Sequence, residues 1–146
     1  MLIAEILRGK GSGVQTTTAE ATLQSAIQIL ASERIGVLVV SGNGRRIDGI
    51  LSERDIVRGL ANESADFSAY KVGDLMTSKV FTCAPDDTVA SVMELMDEKR
   101  IRHVPVAVAN ELAGVVSIRD VLNARLREAE AEQKEMAGYI AGSPQG

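Results

Sequence analysis

The chain of 146 residues contains no tryptophan, two tyrosines and two phenylalanines, which argues against an aromatic platform for stacking single-stranded bases. Any base held here is expected to lie mainly against aliphatic walls and backbone groups. Cys83 is the only cysteine. An internal disulfide and a cysteine-based metal cluster within one chain are therefore ruled out, and a reducing cytoplasm fits best. Basic residues are not in excess: sixteen Lys and Arg against twenty Asp and Glu leave a net charge of -4. This is the opposite of the footprint that phosphate-backbone binding needs, so nucleic acid is not an expected partner. The apolar stretch Leu2 to Leu7 is broken by Glu5 and is too short for a signal core or a membrane span, so neither secretion nor membrane association is expected. What the chain does have is 45% hydrophobic residues, enough for one domain or for two half-sized units that share a core.

The pattern favours two units. Thr22 to Val40 aligns without gaps on Thr88 to Val106, with Thr22/Thr88, Ser25/Ser91, Arg34/Arg100, Ile35/Ile101 and Val40/Val106 identical. After one residue fewer in the following turn, Gly49 to Val57 lies on Gly114 to Leu122. In each copy an apolar stripe at i, i+3, i+4, i+7 predicts an amphipathic helix, through Leu23, Ala26, Ile27 and Leu30 or Val89, Val92, Met93 and Met96. A β-branched run (Val37–Val40, Val104–Val108), a turn and a second apolar run (Ile47–Leu51, Leu112–Val116) predict a hairpin. The second strand leads directly into another helix, and a short extended piece, Val14–Thr18 or Val80–Cys83, precedes each first helix. Each unit thus reads βαββα. So small a sheet cannot be covered by its own two helices, so the copies should pack together about a pseudo-twofold axis, with ligand sites in the clefts between them.

The expected divisions are an entry segment at 1–13, the first repeat at 14–61, a polar linker at 62–75, the second repeat at 76–125 and a C-terminal extension at 126–146. The linker's Val72-Gly73-Asp74-Leu75-Met76-Thr77 stretch adds a helical turn. The extension continues a charged helix, Val121 to Ala137, with Glu130 and Lys134 at a favourable i, i+4 spacing. It is expected to fray from Gly138 onward.

The sharpest local motif is Ser-x-Arg-Asp at a strand-to-helix junction, present as Ser52-Glu53-Arg54-Asp55 and Ser117-Ile118-Arg119-Asp120. Read alone, it is a helix capping box. Its duplication, at a place where helix N-H groups can receive phosphate, opens a second reading. There the carboxylate accepts both hydroxyls of a ribose, while Ser and Arg contact phosphate or sugar.

With Ile101-Arg102-His103-Val104-Pro105-Val106, the Gly-led strands and the doubled Ser-x-Arg-Asp, the chain from Gly9 to about Arg125 resembles a tandem pair of CBS domains, the regulatory module named after cystathionine β-synthase. The long acidic helix ending Tyr139-Ile140-Ala141-Gly142 is similar to that of stand-alone bacterial members. Such members are often labelled as relatives of inosine monophosphate dehydrogenase, although nothing in this chain could form that enzyme's barrel. The resemblance implies an α+β fold of two βαββα CBS repeats about a pseudo-twofold axis, with an extended C-terminal helix. It also implies a non-catalytic, nucleotide-sensing homodimer acting through a partner protein. Its ligand would be an adenosine compound, AMP or a related adenine nucleotide or NAD(H), in two clefts. Carried over by position, one cleft would use Lys10, Val14, Gln15, Thr16, Ile35 and Val37 with Ser117, Arg119 and Asp120. The other would use Lys79, Val80, Phe81, Thr82, Arg102, His103 and Pro105 with Ser52, Arg54 and Asp55.

Only the second repeat has the basic pair Arg102-His103, where the first has Gly36-Val37, so phosphate is expected to be held more strongly beside that pair. Ala19 stands where the second repeat has Pro85. A lone histidine such as His103 is more often a packed or hydrogen-bonded structural residue than a ligand or general base. Cys83 reads as a small buried filler, Met93 and Met96 as core. Gly9-Lys10-Gly11-Ser12-Gly13 lacks the Walker spacing and reads as a flexible entry segment with Lys10 near phosphate. The competing functions are a structural dimerisation module whose Ser-x-x-Asp pairs only cap helices, and a nucleotide hydrolase, for which no nucleophile and base pair is visible.

Overall fold

In a computed structural model, which describes residues 1–11, 13–62 and 66–142, two β-sheets and six α-helices build the two repeats. The chain runs α1 (Ile3–Lys10), β1 (Thr16–Thr17), α2 (Leu23–Glu33), β2 (Val37–Val40), β3 (Gly49–Ser52) and α3 (Glu53–Asn62). A 3-10 turn (Phe67–Ala69) leads to α4 (Val72–Leu75), α5 (Val89–Lys99), β4 (His103–Val108), β5 (Glu111–Ser117) and α6 (Ile118–Gly142). No described helix is long and apolar enough to cross a membrane.

The positions that are identical between repeats have local reasons. Thr22 and Thr88 cap α2 and α5 by accepting from Ser25 and Ser91 N-H at 3.1 Å. Arg34 and Arg100 end the same helices in the left-handed region, φ 54° and 55°, and their N-H groups satisfy Leu30 and Met96 carbonyls. In the first sheet β1 lies parallel to β2 and β3 antiparallel to it, with Val37 opposite Ser52. In the second, β4 pairs with β5 so that His103 lies opposite Ser117. Ala109 and Asn110, φ 52° and 66°, make the tight turn between them. The extended piece expected at Val80–Cys83 forms no strand of its own. It contributes one parallel bridge, Cys83 with Val106, through Cys83 N-H to Pro105 O and Ala107 N-H to Cys83 O.

Each repeat has its own apolar centre. Leu23, Ala26, Leu30, Leu38, Val40, Leu51 and Ile56 gather in the first, and Val89, Val92, Met96, Val104, Val106, Val116 and Val121 in the second. The segments in front of the repeats are exchanged. Helix α1 precedes the first repeat yet inserts Ile3 and Ile6 into the core of the second, each side chain contributing about 1.5–3 kcal/mol by burial. Helix α4 precedes the second repeat and places Val72 in the core of the first. The anchoring bonds correspond: Ile3 N-H to Asp87 O and Ala4 N-H to Pro85 O on one side, Val72 N-H to Ala21 O and Gly73 N-H to Ala19 O on the other.

Two expectations need correction. Gly9 and Lys10 are the last turn of α1 and not part of a flexible loop, because the apolar face of Ile3 and Ile6 finds a core to enter. The C-terminal helix does not end at Gly138 but continues to Gly142. Gly138 has no positive φ, and one helical glycine costs only about 1 kcal/mol, which the helix formers around it absorb. The expected fraying beyond residue 142 lies outside the described residues.

Candidate functional site

The C-terminal ends of β3 and β5 deliver Ser52 and Ser117 to the first turns of α3 and α6, where both Ser-x-Arg-Asp motifs close as capping boxes. Asp55 Oδ2 accepts from Ser52 N-H at 2.9 Å and Oγ at 3.0 Å, and Asp55 N-H donates to Ser52 Oγ at 3.1 Å. Asp120 Oδ2 accepts from Ser117 N-H at 2.8 Å, and Asp120 N-H donates to Ser117 Oγ at 3.1 Å. The surroundings differ. Asp55 Oδ1 accepts from Thr77 Oγ1 at 3.0 Å, whereas Asp120 Oδ2 takes the Lys10 ammonium at 2.7 Å. Lys10 Nζ also donates to Val115 O at 2.9 Å.

Two cavities open beside these boxes. The Asp55 cleft encloses about 370 Å³ and brings together Ser52, Arg54, Asp55, Lys79, Val80, Phe81, Arg102, His103 and Pro105, a volume within the range of small-ligand sites. Thr82, assigned to the same group from sequence, is exposed beside Cys83 and does not line it. The Ser117 cleft encloses about 320 Å³ and gathers Lys10, Val14, Gln15, Ile35, Val37 and Ser117. Thr16 pairs with Val39 in the sheet, and Arg119 is exposed on α6. Neither lines the cleft, and Asp120 reaches it only through Lys10.

Sequence reasoning missed several lining residues. Arg58, Thr77, Lys99 and Arg100 add to the Asp55 cleft, making six cations there with Lys79, Arg54 and Arg102, against Glu53 and Asp55. Arg58 lies one helical turn after Arg54, a spacing visible in the sequence. Phe81 is the one aromatic among the described lining residues, its ring centroid 5.1 Å from Lys99 Nζ and 5.9 Å from Lys79 Nζ. Arg34 joins the Ser117 cleft; it and Arg100 are an identical pair of the repeat alignment.

His103 lines both cavities, as do Gly36 and Val37. A Cβ at Gly36 would stand 3.4 Å from His103 Cε1, so this position of the first repeat packs directly beside the imidazole of the second. Burial, with Lys10 nearby, holds the His103 pKa below its usual 6.5 despite Asp120 and Glu53. For Asp120, burial works upward, but the bonds from Lys10 and Ser117 outweigh it and the carboxyl titrates below 3.8. Cys83 is buried, and that burial, with Asp87 adding to it, pushes the thiol to about 12. Among the described residues no group of three His, Cys, Asp or Glu side chains could hold a metal ion.

Comparison with known proteins identifies the family. A mitochondrial CBS domain-containing protein of Arabidopsis thaliana is 32% identical over 96% of this chain and 72% of its own length. A CBS-domain containing protein from Agrobacterium tumefaciens, known from its crystal structure, is 35% identical with a TM-score of 0.81, covering 86% of this chain and 99% of that one. A CBS domain pair crystallised with 5′-methylthioadenosine and S-adenosyl-L-methionine is 25% identical with a TM-score of 0.74, over 89% of this chain and 98% of that one. The CBS domain family model matches residues 11–62 and 72–127, and the chain belongs to that family as a tandem pair of repeats.

Proposed function

We propose that this CBS pair is a non-catalytic regulatory module that binds adenine nucleotides, of the AMP, ATP or NAD(H) class, in its two inter-repeat clefts. The observation that carries this reading is the meeting of the Ser52–Asp55 box with six cations in one cavity. A carboxylate suited to ribose hydroxyls stands there beside guanidinium and ammonium groups suited to phosphate. The adenosine compounds held by the crystallised relative support the ligand class. The Asp55 cleft holds phosphate more strongly than the Ser117 cleft, where Lys10 is already paired with Asp120. Isothermal titration of the folded protein with AMP, ATP and NADH tests the reading; three flat titrations overturn it.

The module acts as a cytoplasmic homodimer through a partner protein. Helix α6 supports the dimer. Leu122, Leu126, Ala129, Gln133 and Met136 recur at alternating four- and three-residue steps, with Leu122, Leu126 and Met136 50%, 59% and 64% exposed. Val121 and Ala124 on the other face are fully buried, so the stripe points away from its own domain as a coiled-coil seam would. Arg125 would face the acidic Glu130 of a second copy in a parallel pair and its Glu132 in an antiparallel one.

A second reading has its own observation. Both Ser-x-x-Asp pairs fully satisfy a capping role by their internal bonds, as a structural dimerisation module without nucleotide requires. Thermal melts separate the two, since a ligand of the folded state raises the melting temperature by mass action.

A further inference from the structure

The two exchanged segments reach the two hairpins at equivalent places: Met76 lies against Gly49, and Leu7 against Gly114. Beyond these contacts they part. Helix α4 ends at Leu75, and Thr77 then runs beside Ile50, with Thr77 N-H donating to Ile50 O at 2.8 Å and Ile50 N-H to Thr77 O at 2.9 Å. The Thr77 hydroxyl donates to Asp55 Oδ1 at 3.0 Å. Helix α1 instead continues to Lys10. In the register of the repeats Val115 is the counterpart of Ile50, and its carbonyl accepts from Lys10 Nζ at 2.9 Å. The same ammonium holds Asp120 Oδ2 at 2.7 Å. One lysine side chain thus does what Thr77 divides between its backbone and its hydroxyl, but it brings a positive charge to the carboxylate.

That charge decides what the Ser117 cleft accepts. Lys10 lines the cavity and Asp120 does not, so the ammonium stands between the carboxylate and any ligand. Among the described lining residues no carboxylate is left to receive ribose hydroxyls. A nucleoside without phosphate offers the ammonium nothing in exchange for Asp120. A nucleotide does, because its phosphate is itself a charged acceptor for Lys10. The lysine side chain is 40% exposed at the end of α1, so it has room to turn from one anion to the other. We infer that Lys10 is the specificity-determining residue of the Ser117 cleft, a cation that covers the ribose-binding carboxylate and yields it only to a phosphorylated ligand. This assignment rests on the nucleotide-binding reading of the clefts. The Asp55 cleft is open to adenosine as well as to AMP, since among the described residues Asp55 forms no ion pair.

The test is isothermal titration of the full chain with adenosine and with AMP, in the wild type and in Lys10→Met. The two ligands are expected to respond in opposite directions. At the weaker of the two sites Lys10→Met should tighten adenosine at least about threefold, because no ion pair has to be broken. The same substitution should weaken AMP there at least about threefold, because a charged partner of its phosphate is gone. Lys10→Arg, which keeps the charge, should retain the wild-type preference for AMP. Should Lys10→Met fail to fold in a thermal melt, Lys10→Gln replaces it with the same two shifts expected. A lysine that merely contacts phosphate would leave adenosine unmoved, and that result overturns the assignment. So does a wild type that binds adenosine as tightly as AMP at both sites. Either outcome with AMP still bound removes the role of Lys10 alone, whereas no binding of either ligand by any variant removes the nucleotide reading of the clefts.

Discussion

Lys10 Nζ stands 2.7 Å from Asp120 Oδ2, joining the end of the first helix to the first turn of the last. The counterpart carboxylate, Asp55, meets the neutral hydroxyl of Thr77. One Ser-x-Arg-Asp box therefore carries an internal counter-ion and the other does not. Replacing Lys10 by Gln is expected to lower stability by about 0.5–1 kcal/mol in urea denaturation at pH 7, the scale of a partly exposed pair. The loss should vanish at acid pH where Asp120 is protonated. Equal loss at both pH values would mean that the lysine stem, not the charge pair, matters.

The same asymmetry sets the response to ligand. Asp55→Ala should weaken one nucleotide site by roughly 1.5–3 kcal/mol, the scale of a lost hydrogen bond to a charged acceptor, and Asp120→Ala should weaken the other by less, since Asp120 reaches its cleft only through Lys10. Only Asp120→Ala should leave Lys10 free to contact phosphate and so recover part of its loss. Unchanged affinity in both variants would remove the sites from these boxes.

His103 makes folding pH-dependent near neutrality. Its pKa in the folded protein is lowered from 6.5, so below pH 6.5 the unfolded chain takes up a proton more readily than the folded one. The stability present above pH 6.5 should fall as pH drops through and below that value. Asp120, also lowered, from 3.8, adds a second loss in the same direction at lower pH. Thermal melts of the wild type and His103→Gln between pH 5 and pH 8 should converge at the acid end; parallel curves would show that the imidazole titrates alike in the folded and the unfolded chain.

Gly49 and Gly114 allow α4 and α1 to lie against the two hairpins. A Cβ at Gly49 would stand 2.8 Å from Met76 Sδ and 3.0 Å from the Thr77 carbonyl, while one at Gly114 would meet only Leu7, at 2.6 Å from Cδ2. Gly49→Ala should cost roughly 1–3 kcal/mol. Gly114→Ala should cost less, because the Leu7 methyl end can rotate away and a backbone oxygen cannot. The reverse order in chemical denaturation would contradict this packing.

With its thiol pushed to about 12, Cys83 should react with a disulfide reagent at pH 8 only when the protein is denatured. Leu126→Lys should shift the proposed α6-paired dimer to monomer in light scattering at micromolar concentration. An unchanged mass would move the dimer interface off α6.

Much of this was legible in the chain itself. The helical stripes and β-branched runs mark α2, α5 and both hairpins, because burial on one face imposes a period. The residues expected in the Asp55 cleft came from the resemblance to the CBS family, carried over by position, and all of them but Thr82 line it. Helix α1 was not, since Ile3-Ala4-Glu5 and Val72-Gly73-Asp74 share a role and no identical residue. Lys99 and Arg100 were missed for a related reason: the helix stripe shows which residues face the core, but says nothing about which cavity lies beyond the C-cap.

By itself the sequence determined that the fold is a duplicated α+β unit with a Ser-x-Arg-Asp box in each half, since local periodicity and capping depend only on neighbours along the chain. Tertiary structure alone decided that α1 and α4 exchange cores, that Lys10 reaches across to Asp120 and that His103 stands between two cavities. These depend on how residues far apart in the chain are brought within a few ångströms, and such charge and packing relations leave no local pattern to read.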